Sequence, residues 1–248
     1  MIAQKIALGK PAAYGQEIVK RRFRLTTATV AWQNKTVLDF GCGNGAQTCE
    51  FTPIGGKILA VDVTLSDLQI LRQYRDLRRS DLIIPIQYNG SHLPIASSAI
   101  DLVMSFDVLE HVHDEALALG EMHRVLKPDG EIVLTVPNKG WIFETHGAYL
   151  PLLPWYRVPF LSWLPQSWHR RIAKARIYRR RDIVKLLQAH SFQVLRTQYV
   201  TAPLDVLKNP RLKSLLRTLV FCGDTTPFSI LATAIFIHGR KTSAPRGI

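Results

Sequence analysis

Apolar residues along this chain fall into short, nearly unbroken runs that alternate with stretches of helical spacing. Thr36–Phe40 (TVLDF), Lys57–Val63 (KILAVDV), Leu82–Gln87, Ile100–Phe106 (IDLVMSF) and Glu131–Val136 (EIVLTV) are such runs. Segments apolar at nearly every position predict strands buried on both faces, hence a parallel sheet covered by helices. Helices are expected between them, over residues 14–31, over Ser66–Arg79 and over Asp114–Leu126. In the second, Leu68, Leu71 and Leu77 form the apolar side and Ser66 is the N-cap; the third stops at the turn Lys127-Pro128-Asp129-Gly130. Phe192–Tyr199 and Ser229–His238 predict two further strands, the last an antiparallel edge, with a helix around Asp205–Phe221 between them. The expected fold class is α/β, a doubly wound, mostly parallel seven-stranded sheet with helices on both faces. Residues 1–140 form its core, 141–181 an insertion, and 182–248 complete the same sheet.

Charge changes the picture more than composition does. The chain has 248 residues, and 32 Lys+Arg against 19 Asp+Glu leave it at +13. Such an excess speaks of partners: an anionic membrane, nucleic acid or an anionic substrate. Over half of it lies between Trp141 and Arg181, where eight Lys/Arg face one acid, Glu144, and where four of the five tryptophans sit. Trp beside Arg suits a membrane interface. The alternatives are a plain lid over a pocket and an RNA-binding surface. The three cysteines, Cys42, Cys49 and Cys222, have no zinc-site spacing, so no metal is expected, and their sparseness argues for a reducing compartment. Met1–Gly9 is too short and weakly apolar for a secretory signal, and no run reaches the ~18 apolar residues of a membrane span. The expected location is cytoplasmic, with peripheral contact at a membrane.

The chemistry starts at Asp39-Phe40-Gly41-Cys42-Gly43-Asn44-Gly45, three glycines at alternate positions directly after the first strand. Glycine is needed where backbone turns with positive φ, or where a ligand lies against the chain. At a strand-to-helix junction of an open α/β sheet this makes a small-molecule cleft. Gly41-x-Gly43-x-x-Ala46 also fits the dinucleotide fingerprint, which would mean NAD. Asp39 argues against that, because a carboxylate so near a pyrophosphate repels it and suits a cationic group instead. Asp62, 17 residues past Gly45, can accept both hydroxyls of a ribose, a feature shared by NAD and S-adenosylmethionine (SAM).

Asp39-x-Gly41-x-Gly43-x-Gly45 resembles the first motif of class I SAM-dependent methyltransferases. Ser91–Ile95 with Ala99–Val103, then Asp107-Val108-Leu109-Glu110-His111-Val112, then Glu121–Pro137 resemble the later motifs in the same order. Together they resemble the small-molecule branch called type 11, closely over residues 35–138 and loosely over Tyr178–Tyr199. The resemblance implies a Rossmann-like fold with SAM as cofactor. It implies that Asp39, Gly41, Gly43 and Gly45 line the methionine and ribose part of SAM. Asp62 would hold the ribose hydroxyls, with Val63 beside the adenine, Gly90 offering its N–H to the ring and Asp107 near the sulfonium. Asn89 stands where the family usually has Asp; its amide oxygen can still accept from the adenine amine, without charge.

Methyl transfer from a sulfonium needs alignment and exclusion of water before it needs a catalytic group. An oxygen acceptor would still profit from a general base. His111 is the candidate by location, with His146 and His169 in the insertion as acceptor-side bases, while Glu110 and His113 are expected at caps or in solvent. The marks of base-modifying relatives are absent: Ser105-Phe106-Asp107-Val108 stands where an Asn/Asp-Pro-Pro-aromatic stretch would be, and no cysteine has a neighbouring Pro. The expected acceptor is a small or lipid-linked molecule, methylated at oxygen or carbon. A nucleic-acid-binding or RNA-modifying protein using the basic insertion is the alternative.

Overall fold

In the computed structural model, which describes residues 11–54, 56–78, 80–150, 158–201 and 223–242 with single positions between 209 and 221, the five apolar runs are five parallel strands. They are β1 (Thr36–Phe40), β2 (Lys57–Asp62), β3 (Ile83–Gln87), β4 (Ile100–Phe106) and β5 (Leu126–Pro137), in the order β3-β2-β1-β4-β5. The sheet continues with β8 (Ala232–Lys241), β6 (Phe192–Thr201) and the two-residue β7 (Thr225–Thr226), eight strands in all. β8 is not an edge: it runs antiparallel between β5 and β6. Ile235, Phe236 and Ile237 are buried in succession, so both faces of this strand are covered.

Six α-helices are bounded among the described residues: α1 (Glu17–Thr27), α2 (Ala46–Phe51), α3 (Leu65–Arg78), α4 (Glu115–Val125), α5 (Gln166–Ile172) and α6 (Arg180–Ala189). Side chains alternate across the sheet and both sets are apolar. Leu38, Val103 and Leu134 face Leu119 and Met122 of α4 with Ile183 and Leu187 of α6. Val37, Leu102 and Val133 face the other way, towards Leu25 of α1, Trp32 and Phe51. This two-sided core leaves only the strand ends open.

Several expectations need correction. Helix α3 begins at Leu65, so Ser66 is inside its first turn and is not the cap. Leu68 and Leu71 are fully buried, but Leu77 is 84% exposed. Nine residues separate Leu68 from Leu77, two and a half turns, which puts them on opposite sides of the helix. The Lys127–Gly130 turn is absorbed into β5 as an irregularity, the pairing jumping from Ile100↔Leu126 to Leu102↔Glu131. Helix α6 was not expected; it claims Arg180 and Arg181 from the end of the basic insertion. Cys222, Trp155, Met1–Gly9 and most of the Asp205–Phe221 helix lie outside the described residues.

The third glycine of the loop is a packing residue. Gly45 has φ +82°, and a Cβ there would fall inside the Leu71 side chain of α3. Gly45→Ala should destabilise the protein by about 2–4 kcal/mol, combining left-handed strain with overpacking. Urea unfolding of the cofactor-free protein measures this; a change under 0.5 kcal/mol would refute it.

Candidate active site

The C-terminal ends of β1, β2 and β4 open into a cavity of 580 Å³, at the position where open α/β sheets bind ligands. Asp39, Gly41, Gly43, Asp62, Val63, Asn89, Gly90, Asp107 and His111 all line it, whereas Gly45 does not. Residues before α1 help to close it. Pro11, Ala12 and Gln16 reach the cavity, and Tyr14 stacks on Tyr74 while its hydroxyl donates to the Asn44 carbonyl at 2.5 Å.

The loop end of the cavity is acidic. The Asp62 carboxylate accepts from Gly43 N at 2.8 Å and from Thr64 N at 2.8 Å, tying the loop to the end of β2. Gly41 has φ +75°, and a Cβ there would strike Val108. Asp39 is 2% exposed and accepts from the Thr48 hydroxyl at 2.6 Å. Burial, against the pull of that bond and helped by the Asp62 charge, pushes its carboxyl up to about 7. A buried carboxylate with a second acid nearby, and with no cation paired to it among the described residues, is a site short of positive charge. The ammonium and sulfonium of SAM would supply it, so these residues fit that cofactor. Asn89 departs from its expected role: its oxygen accepts from Ser91 N, Ser91 Oγ and His92 N at 2.8–3.2 Å, which closes a local turn. That oxygen is therefore engaged by its own loop.

The opposite end is built around a buried proton pair. Asp107, at φ +55°, accepts from Thr135 Oγ1 at 2.8 Å and pairs with the Arg22 guanidinium. Burial opposes ionisation of Asp107, but Arg22 and His146 hold its carboxyl below the usual range. Glu110 is 2% exposed, not a cap or solvent group. Its Oε1 lies 3.1 Å from His146 Nε2, and its Oε2 has no hydrogen-bond partner among the described residues. Burial pushes the Glu110 carboxyl up to about 7, against the pull of His146. Burial lowers His146, yet the Glu110, Asp107 and Glu144 carboxylates outweigh it and raise the imidazole to about 9. Between those two values the pair is an ion pair.

The His111 ring lies 5.4 Å from that of His146, tilted by 58°. Glu110, His111 and His146 each bring a donor atom within 4.8 Å of the others, a grouping the cysteine and histidine spacing did not suggest. His169 does not reach the cavity. It is buried in α5 with Nε2 2.7 Å from Glu144 Oε2, and Glu144 in turn accepts from the backbone N of Thr145 and His146. His169 thus fixes the strap that carries His146.

Sequence reading missed Arg22, Glu110 and Glu144. Arg22 belongs to a basic run that looks like a solvated face, yet it and Arg21 are buried; Arg21 meets Asp224 at 3.1 Å and the Thr201 carbonyl at 2.9 Å. Glu144 did leave a signal, as the one acid among eight basic residues.

Residues 38–134 match the family described as a methyltransferase domain. A probable S-adenosylmethionine-dependent methyltransferase of Mycolicibacterium smegmatis is 27% identical over 125 residues, 49% of this chain and 45% of that protein. A ubiquinone biosynthesis O-methyltransferase of Pseudomonas paraeruginosa is 30% identical over 132 residues, 48% of this chain and 54% of that protein. The chain spans about half the length of the curated relatives it matches. A SAM-dependent methyltransferase from Aquifex aeolicus shares the fold with TM-score 0.60 at 12% identity, over 97% of this chain and 94% of its own. One from Mesorhizobium loti does so at 0.62 and 14%, over 89% and 98%. The fold is the Rossmann-like one of SAM-dependent methyltransferases. Residues 38–134 are similar to the methyltransferase domain, a family whose cofactor is S-adenosyl-L-methionine.

Proposed function

We propose that the protein transfers a methyl group from SAM to a hydroxyl oxygen of a small or lipid-linked acceptor. The observation that carries this reading is the cavity itself, lined by the acidic pair Asp39 and Asp62 and by His146, which the buried Glu110 backs from outside the lining. SAM supplies an activated methyl on a good leaving group. Asp39, Gly41 and Gly43 hold its methionine and ribose part, and Asp62 accepts from the ribose hydroxyls. Val63 would pack beside the adenine, Gly90 and the Asn89 amide would border the ring, and Asp107 would lie at the sulfonium end. His146, once it has given up its own proton, accepts the proton that the acceptor hydroxyl loses, with Glu110 stabilising the resulting imidazolium. His111 borders the same space and orients the acceptor. Relatives named for ubiquinone biosynthesis O-methylation support an oxygen acceptor and favour an amphipathic one.

The insertion would bring such an acceptor from an anionic membrane surface. Trp163 and Trp168 stand exposed, Trp168 in the same short helix as Arg170 and Arg171, the pairing that favours a headgroup layer. No helix among the described residues is long and apolar enough to cross a membrane. Labelled SAM incubated with the protein and whole-cell extract, then partitioned, tests the reading. Label in an organic-phase small molecule is expected. Label confined to RNA would replace this reading with the nucleic-acid one.

A further inference from the structure

A second cavity, of 1210 Å³, lies away from the first and shares no residue with it. It opens between the segment after β5, the start of α6 and strand β6, and five cations line it: Lys139, Arg179, Arg180, Arg181 and Arg196. No carboxylate lines it among the described residues. Asp182, which does not line it, lies 3.4 Å from Arg181 and is the one carboxylate acting on Lys139. Arg179 and Arg196 have no ion pair among the described residues, and Lys139 Nζ is held by the Leu164 carbonyl at 2.8 Å. Burial and the neighbouring Arg179 charge lower the Lys139 ammonium, with Asp182 pulling the other way. Arg179 to Arg181 also cap and open α6, where the helix dipole is already positive and cations are disfavoured. Folding has gathered this charge at a local cost that an anion would remove. Apolar side chains share the wall: Trp163, Leu195 and Ile230 are each partly exposed there.

We propose that this cavity is a second ligand site, which takes the phosphate or diphosphate group of an amphiphilic ligand. Guanidinium forks match phosphate oxygens two at a time. The apolar wall would accept the ligand's hydrocarbon part. A bare strand of nucleic acid would leave that wall unused. The inference does not depend on the acceptor of the methyl group.

Calorimetry at low salt with two soluble probes tests it, inorganic pyrophosphate and monomeric dihexanoylphosphatidic acid. Saturable binding of either supports the site. Tighter pyrophosphate indicates a free phosphate ligand, and tighter phosphatidic acid a lipid headgroup. Arg179→Gln with Arg196→Gln should weaken binding by about tenfold or more, given charge-assisted bonds of roughly 1.5–3 kcal/mol, and leave SAM affinity unchanged. Arg196→Gln alone, on an exposed strand position, serves if the double variant loses SAM binding. The proposal is overturned if neither probe binds, if the substitutions leave binding intact, or if only an RNA oligonucleotide binds.

Discussion

His146→Gln is expected to lower kcat by roughly 10²–10⁴, the span that a positioned acid–base group contributes, while the dissociation constant of SAM stays within about twofold. The reason is placement. His146 lies on a strap pinned by buried Glu144 and His169, so Gln can occupy its position without unfolding the cofactor end, which is built from β1, β2 and the glycine loop. The pH profile separates a base from a merely structural residue. His146 is raised to about 9, so it is protonated at neutral pH and must lose its proton before it can accept one. The rate should therefore climb with pH from about 7 towards 9, with apparent values that belong to the pair and not to either residue. Glu110→Gln removes the largest influence that raises the imidazole, so the climb should move towards lower pH by a unit or more. A profile that is flat, or that Glu110→Gln leaves unmoved, would show that His146 only supports the fold.

The parts of this architecture legible in the sequence are those that local rules decide. Strands β1 and β4 are bounded as expected because their apolar runs are ended by glycines or by an aspartate at positive φ. The glycine loop was legible because its φ values and close contacts forbid most other residues. What was not legible depends on which distant groups meet. Arg22 and Asp107 are 85 positions apart, and only the packing of α1 against the sheet turns a basic residue into a buried partner. Glu110 was misread for the same reason: a carboxylate after a strand is usually solvated, and here the insertion folds back to bury it against His146. The place of β8 between β5 and β6 fits its nearly all-apolar stretch, a signal present in Ala232–Ile237, where Thr233 is the one polar residue, but outweighed by chain order. The cation-lined cavity needed β6 beside α6, a neighbourhood that charge counting cannot supply.

Asp39→Asn is expected to act in opposite directions on cofactor binding and on stability. In the folded protein the Asp39 carboxyl is raised from 3.8 to about 7 by burial and by the Asp62 charge, against the Thr48 hydrogen bond. A raised carboxylate means that the native state binds the proton more readily than the unfolded chain, so stability is lost as pH rises from about 4 to about 7. About three pKa units correspond to an upper bound on the order of 4 kcal/mol. Asn is neutral and nearly isosteric, so it removes this loss. The cofactor-free variant should melt higher than wild type at pH 8, and the gain should vanish at pH 4, where wild-type Asp39 is itself protonated. Cofactor binding should move the other way. The ammonium of SAM would lose its carboxylate partner, and affinity at pH 8 should fall by about 10- to 100-fold, as expected for a charge-assisted contact of roughly 1.5–3 kcal/mol. Wild-type affinity should itself weaken below pH 7 as Asp39 takes up its proton, closing the gap between the two. Melting curves and SAM titrations at pH 4, 6 and 8 measure both effects. Equal SAM affinity at pH 8 would mean that Asp39 serves the loop and not the cofactor. A variant that binds SAM poorly yet melts higher would identify the buried charge as one kept for binding at the expense of the fold.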